Sequence, residues 1–316
     1  MIIDVKNLVK RYRRADKNAV DDISFSLEEG AFFALLGPNG AGKTTTVSIL
    51  TTTLVKTSGQ VTIAGYDLDQ DQSKVRGNIG VIFQSPSLDQ NLTAEENIRF
   101  HAVLYGIYTF RPFFSMMSGE YKERVHKLAE VLGIAKDLFK PIKTFSGGMK
   151  RKLEIVRSLI HHPKVLFLDE PTSGLDPLSR RNLWEYLHEV RDNEKTTIFL
   201  TTHYLDEAEG ADMICIIDHG KIVSSGTPQK IKKDLVEEYL LIDSQDKLSL
   251  RRELNKLKIK YREEQDGGFN IGIAKANPQK IISAIKTDLS YLKTHSPTLE
   301  EAYLEIIDRA KKEKEQ

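Results

Sequence analysis

The chain has 316 residues, of which 40% are hydrophobic and 29% charged, with 46 Lys and Arg against 45 Asp and Glu. That length suits two domains, or one large domain with an appendage, and that composition can bury a core, which argues against an intrinsically disordered chain. A formal net charge of +1 lacks the basic surplus of a nucleic-acid binder, so no nucleic-acid partner is expected.

The chain opens with an alternation of apolar and polar residues from Met1 to Lys10, which predicts a strand and lacks the apolar core of a signal peptide. No stretch reaches the roughly eighteen apolar residues that span a bilayer, so any work at a membrane would need a partner. The lone cysteine, Cys215, excludes an intrachain disulfide. Its apolar surroundings, Met213 to Ile217, predict a buried structural thiol, and a reducing cytosol fits.

Continuous apolar runs at Ala31 to Leu36, Val165 to Leu168 and Ile198 to Leu200 suit strands buried on both faces of a parallel sheet. Helical patterns follow each run, which makes the architecture α/β. Between Asn91 and Phe145 the pattern turns helical only, with a helix start at Thr93 and Glu96 and an amphipathic stretch from Glu123 to Leu132. This reads as an inserted helical subdomain, about 91–145.

The character changes again after Gly226-Thr227-Pro228. Residues 1–228 form one expected domain and 229–316 a small α+β one. In the second, strands are expected at Tyr239 to Ile242, Ile259 to Arg262, Phe269 to Ile273 and Tyr291 to Thr294. Helices are expected at Leu248 to Leu257, Pro278 to Thr287 and Thr298 to Ala310, with a turn at Asp266-Gly267-Gly268. Up to Thr294 that order is the split βαβ pattern.

Directly after the first apolar run, Gly37-Pro38-Asn39-Gly40-Ala41-Gly42-Lys43-Thr44 fits the phosphate-binding pattern G-x-x-x-x-G-K-[ST] between a strand and a helix. The glycines let backbone N–H groups approach phosphate oxygens, and the helix N-terminus adds its positive end. Lys43 would neutralise the β and γ phosphates, and the Thr44 hydroxyl would ligate Mg²⁺. Alone, this loop says only that a nucleoside triphosphate binds. The strand from Val165 runs into Asp169, a Mg²⁺ ligand by type and place, and then Glu170, which can polarise a water for in-line attack on the γ-phosphate. Ser146-Gly147-Gly148 opens a second helix with exposed N–H groups, from Met149 to Ile160.

Taken together, these elements resemble the ABC-transporter nucleotide-binding domain, from about Ile2 to Gln229. The matches are the Walker A loop Gly37 to Thr44, Gln84 of the Q-loop, and the signature Phe145-Ser146-Gly147-Gly148-Met149. They continue with Walker B ending at Asp169, Glu170, the D-loop Ser173-Gly174-Leu175-Asp176 and His203 of the H-switch. Tyr12 stands where the family has its adenine-stacking aromatic. Phe145 departs from the leucine of many relatives but stays apolar.

The resemblance implies a P-loop NTPase fold, with a RecA-like parallel core sheet, an N-terminal antiparallel β part and the inserted helical subdomain. It implies an ATPase that needs ATP and Mg²⁺, with Thr45 beside Thr44 in the nucleotide site. It also implies a head-to-tail homodimer, or pairing with another nucleotide-binding subunit. Each ATP would lie between Walker A of one protomer and Ser146, Gly147 and Gly148 of the other, with Asp176 nearby. Gln84 would sense Mg²⁺ or the attacking water and report to a transmembrane permease, and His203 would bind the γ-phosphate. The chain would then work as a peripheral subunit on the cytoplasmic face of the cell membrane.

Met149-Lys150-Arg151-Lys152-Leu153, Thr201 to Glu209 and Ser296 to Leu304 are similar to the ATP-binding subunits of ABC-2-type exporters of the daunorubicin-resistance group. Members of that group move drugs, lipids, polysaccharides or peptides. Tyr105 to Gly119, rich in aromatics and Met, looks like an insertion, either packing inside the helical subdomain or extending a docking surface for the permease. The competing reading is a soluble ABC ATPase of repair or translation. It lacks the second nucleotide domain or long coiled-coil insertion usual there, and the charge balance does not favour it.

Overall fold

The computed structural model describes residues 1–83, 87–235, 238–264, 268–273, 278–295 and 298–315. Gln84, Asp266, Gly267, Ser296 and Pro297 lie outside them. The chain divides into two compact units, Met1–Ser225 and Gly226–Gln316.

The first unit begins with an antiparallel sheet: β1 (Ile3–Lys10), β2 (Val20–Leu27), β4 (Ser58–Ile63) and β5 (Tyr66–Asp67), in the order β2-β1-β4-β5. β3 (Phe32–Leu36) leaves it and enters a six-stranded sheet with β6 (Ile79–Ile82), β7 (Val165–Asp169), β8 (Thr197–Thr202), β9 (Met213–Asp218) and β10 (Lys221–Gly226). Its order is β10-β9-β3-β8-β7-β6, and the pairs from β9 through β6 are parallel. All residues of β3, β7 and β8 are buried, as expected for strands covered on both faces. Phe33 lies between Phe25 and Phe199 at ring distances of 5.2 and 4.8 Å, which locks the two sheets over one core. Cys215 is buried there, and burial pushes its thiol up to about 12.

Helices cover the large sheet: α1 (Lys43–Leu50), α2 (Gln72–Asn78), α5 (Gly147–Leu159), α6 (Pro177–Glu194) and the one-turn α7 (Leu205–Ala208). The insertion holds α3 (Ala94–Leu104) and α4 (Gly119–Val131). Thr93 and Glu96 form a reciprocal capping box at the start of α3, as the spacing predicts. Behind α3, Arg99 pairs with Glu95 at 3.0 Å and donates to Arg111 O and Pro112 O at 2.7 and 2.8 Å. That arginine thereby anchors the aromatic segment. Tyr108 and Phe114 pack their edges on buried Tyr121, and Met117 is buried. Phe110, Phe113 and Met116 stay 50, 65 and 52% exposed. The segment thus divides between inward packing and an exposed apolar ridge.

In the second unit, α8 (Pro228–Leu235) and α11 (Leu299–Glu315) pack together. Between them run β11 (Tyr239–Asp243), α9 (Lys247–Lys256), β12 (Arg262–Glu263), β13 (Phe269–Gly272), α10 (Pro278–Ala284) and β14 (Tyr291–His295). The sheet order β12-β13-β11-β14, with antiparallel neighbours, is the split βαβ arrangement. Leu240 and Ile242 alternate inward and meet Leu250, Leu254, Phe269 and Ile271 in a separate core. The expected strand Ile259 to Arg262 shrinks to Arg262–Glu263. Ile259 instead closes the end of α9, its amide bonded to Leu254 O at 3.0 Å.

Candidate functional site

The phosphate loop leaves the carboxyl end of β3, where α/β sheets hold ligands. Its glycines answer to crowding. A Cβ on Gly37 would sit 2.2 Å from Ile217 O, and one on Gly42 would sit 2.5 Å from Ala19 O. Gly42 also holds φ at 112°, which only glycine adopts at little cost, and it caps α1 without a side chain. The first amides of α1 are therefore left to a ligand. Asn39 and Gly40 are exposed, while Pro38 is half-buried and Ala41 buried. Lys43 Nζ donates to Gly37 O at 2.7 Å and to Pro38 O at 3.2 Å. Burial pushes its ammonium below the ordinary lysine range, and the charges of Glu170 and Asp169 work against that shift.

Asp169 ends β7 and Glu170 leaves the strand with φ at 50°. The Thr201 hydroxyl donates to the Asp169 carboxylate, and the Thr44 hydroxyl also favours its ionised form. Burial holds the Asp169 carboxyl above its usual value against both. The turned-out Glu170 places Oε1 3.2 Å from Nδ1 of His203, the residue after β8. His203 rests on Tyr204, with ring centroids 4.1 Å apart, and the Arg180 guanidinium covers Tyr204 at 4.7 Å. Lys43, Thr44, Asp169, Glu170 and His203 thus converge at the carboxyl ends of three adjacent parallel strands. Thr44 opens α1 and Asp169 ends β7, and the two offer the hard oxygens that Mg²⁺ takes.

Tyr12 is 44% exposed, and its hydroxyl lies 3.3 Å from Thr45 Oγ1, so the tyrosine stands over the first turn of α1. Ser146 and Asp176 serve as helix caps. Ser146 Oγ accepts the Met149 amide at 3.3 Å, and Asp176 accepts the Ser179 amide at 2.9 Å. Ser146 and Gly147 are exposed, and Gly148 is half-buried near Leu175. Gln84 is not among the described residues.

Two residues that lie inside quoted motifs were given no role in the site. Glu207, buried on α7, accepts the hydroxyls of Thr172 and Thr202, the latter at 2.6 Å. It joins the segments that follow Glu170 and precede His203. Arg151, buried on α5, reaches Asp169 O, Glu170 O, Pro171 O and Phe83 O. The available signal was the polar stripe Arg151, Glu154, Ser158 running along a helix that otherwise turns apolar residues inward.

The chain is similar to known proteins over most of its length. The family described as ABC transporter matches residues 20–173. The linearmycin resistance ATP-binding protein LnrL of Bacillus subtilis is 32% identical, over 98% of this chain and 99% of that protein. The daunorubicin/doxorubicin resistance ATP-binding protein DrrA of Streptomyces peucetius is 37% identical, over 80% of this chain and 74% of its own length. The probable multidrug ABC transporter ATP-binding protein YbhF of Escherichia coli is 38% identical over 73% of this chain, which spans only 38% of YbhF. Among solved structures, an ATP-binding subunit of an ABC transporter superposes with a TM-score of 0.66 at 31% identity, covering 74% of this chain and 93% of that one. The dimeric cassette MJ0796 bound to ADP and Pi gives 0.63 at 25%, covering 71% and 98%.

Proposed function

We propose, because this chain belongs to the ABC transporter family, that it is the ATP-hydrolysing subunit of an ABC-2-type exporter and drives a separate transmembrane permease. The observation that carries this reading is the convergence of Lys43, Thr44, Asp169, Glu170 and His203 in a chain that aligns with LnrL almost end to end. The protein is an ATPase of this family, and the site residues divide the work as follows. The amides of Gly40, Gly42 and the first turn of α1 cradle the phosphates, and Lys43 exchanges its loop carbonyls for phosphate oxygens. Tyr12 stacks on the base. Glu170 polarises the attacking water, and His203 holds the γ-phosphate side of the site. Thr44, Asp169 and Gln84 would hold Mg²⁺, which screens phosphate charge and orients the triphosphate.

A second cassette completes each site. Ser146, Gly147 and Gly148 are presented to it at the start of α5, and Asp176 lies at the start of α6. Among the described residues no helix is long and apolar enough to cross a membrane. On the family resemblance, we assign the membrane-spanning work to another chain and this one to the cytoplasmic face. The ridge of Phe110, Phe113 and Met116 suits an extended docking surface for that chain. The transported molecule belongs to the class of drugs, lipids, polysaccharides or peptides.

The test is recovery of the tagged full-length protein from detergent-solubilised native membranes, with mass spectrometry of its companions. A stoichiometric polytopic membrane protein is expected. Ribosomes, DNA or a solitary soluble dimer would point instead to an ATPase of translation or repair.

A further inference from the structure

We infer that Arg151 is a positioning residue that fixes the water-activating carboxylate and the segment leading into Gln84 against one another; the inference rests on Glu170 acting as the base. The buried guanidinium distributes its donors in two directions. Toward the end of β7, Nε donates to Pro171 O at 2.8 Å, and Nη2 donates to Asp169 O and Glu170 O at 3.1 and 2.9 Å. Toward the other side, Nη1 donates to Phe83 O and to Glu154 Oε2, the latter at 3.3 Å. One planar cation therefore gathers three consecutive carbonyls around Glu170 and the carbonyl just before Gln84. Only arginine carries five donors in a fixed fork. A lysine ammonium has three donors on one flexible atom and cannot serve both directions.

Glu170 needs such a holder. Its φ of 50° puts a non-glycine residue in the left-handed region, which costs about 1–2 kcal/mol and persists where the surroundings dictate it. Its amide is fixed to Thr201 O at 3.0 Å and its carbonyl to Arg151, and from between those two ties the side chain reaches His203. The far end of the neighbouring segment is held by the same helix face. Glu154 Oε1 accepts the Ser87 amide at 2.8 Å, and Arg157 donates to Ser87 O and Oγ, both at 2.7 Å. A displacement of Phe83 is thus passed through a rigid group to the backbone that aims Glu170. The site can answer to whatever moves that segment.

The experiment compares Arg151→Lys and Arg151→Met with Glu170→Gln in the full-length chain. It follows kcat, KM for ATP, nucleotide affinity and thermal unfolding. Arg151→Lys is expected to fold, to keep KM and nucleotide affinity within about threefold, and to lose roughly 10- to 100-fold in kcat, the effect of a displaced catalytic group. In single turnovers on the Glu170→Gln background, the same change should add less than about twofold, because its effect passes through Glu170. If Arg151→Met, which removes every donor, fails to fold, the lysine variant decides. A folded Arg151→Lys with normal kcat overturns the inference. So does an equal loss on both backgrounds, or a loss confined to KM and melting temperature, since these mark a structural role. Near-normal turnover of Glu170→Gln alone removes the base assignment instead, which the Arg151 variants do not address.

Discussion

Phosphate and Mg²⁺ chemistry demands particular residue types at particular spacings, and the proposed site meets those demands. Gly37 to Thr44 must follow a strand and open a helix, and Asp169 and Glu170 must end one. Glu207 and Arg151 were not legible, because a buried charge acquires meaning only from partners that the fold brings from elsewhere. Glu207→Ala is expected to cost about 2–3 kcal/mol in urea unfolding, since two buried hydroxyls lose their acceptor. It should also lower ATP turnover, because Thr172 and Thr202 flank the catalytic pair. Asp169 carries a pH signature. Burial raises its folded pKa above its unfolded value, so its contribution favours folding below the unfolded value and is lost as pH rises through the folded one. Asp169→Asn should flatten that decline in urea titrations across the acidic range while removing hydrolysis.

At the scale of elements, buried strands of the large sheet were predictable to within a residue or two because their apolar runs are local, whereas helix ends were not: α4 starts at Gly119 rather than Glu123, and α11 runs to Glu315 rather than Ala310. Nor was the two-residue β12, since pairing at a sheet edge is decided by the partner β13 rather than by the sequence of the strand itself. The helical insertion is tied down in a similarly non-local way. Arg124 of α4 bonds Glu194 at the end of α6 at 2.8 Å and the last carbonyl of α5, Leu159 O, at 3.0 Å, and His162 joins Glu194 at 2.9 Å. Burial alone would raise the Glu194 pKa, but the bonds from Arg124 and His162 lower it overall. A lowered carboxyl stabilises above its unfolded pKa and ceases to as pH falls through the folded one. Glu194→Gln is therefore expected to lose about 1–2 kcal/mol near neutral pH, a deficit that closes as the pH falls below the ordinary glutamate range. Urea unfolding at several pH values measures it.

At the scale of the whole molecule, each unit has a core of its own, Phe25, Phe33 and Phe199 in one, Leu240, Leu254 and Phe269 in the other. Scanning calorimetry should resolve two transitions, and ATP should raise only that of the unit holding Gly37 to Thr44, since a ligand stabilises the part that binds it. A single transition shifted as one would mean that the units unfold together.

The strand order also sets a timetable for synthesis. β3, from which the phosphate loop springs, pairs with β8 and β9, and β2 leads into it at Gly30, whose amide bonds Thr197 Oγ1 from 167 positions away. At ordinary translation rates that interval lasts roughly 10–30 s. The antiparallel strands β1, β2 and β4 can pair within that time, but β3 waits as an unpaired apolar segment for strands not yet made. The glycine loop therefore leaves the ribosome early and takes its working shape late, and chains cut short before β8 should be captured by chaperones rather than bind nucleotide.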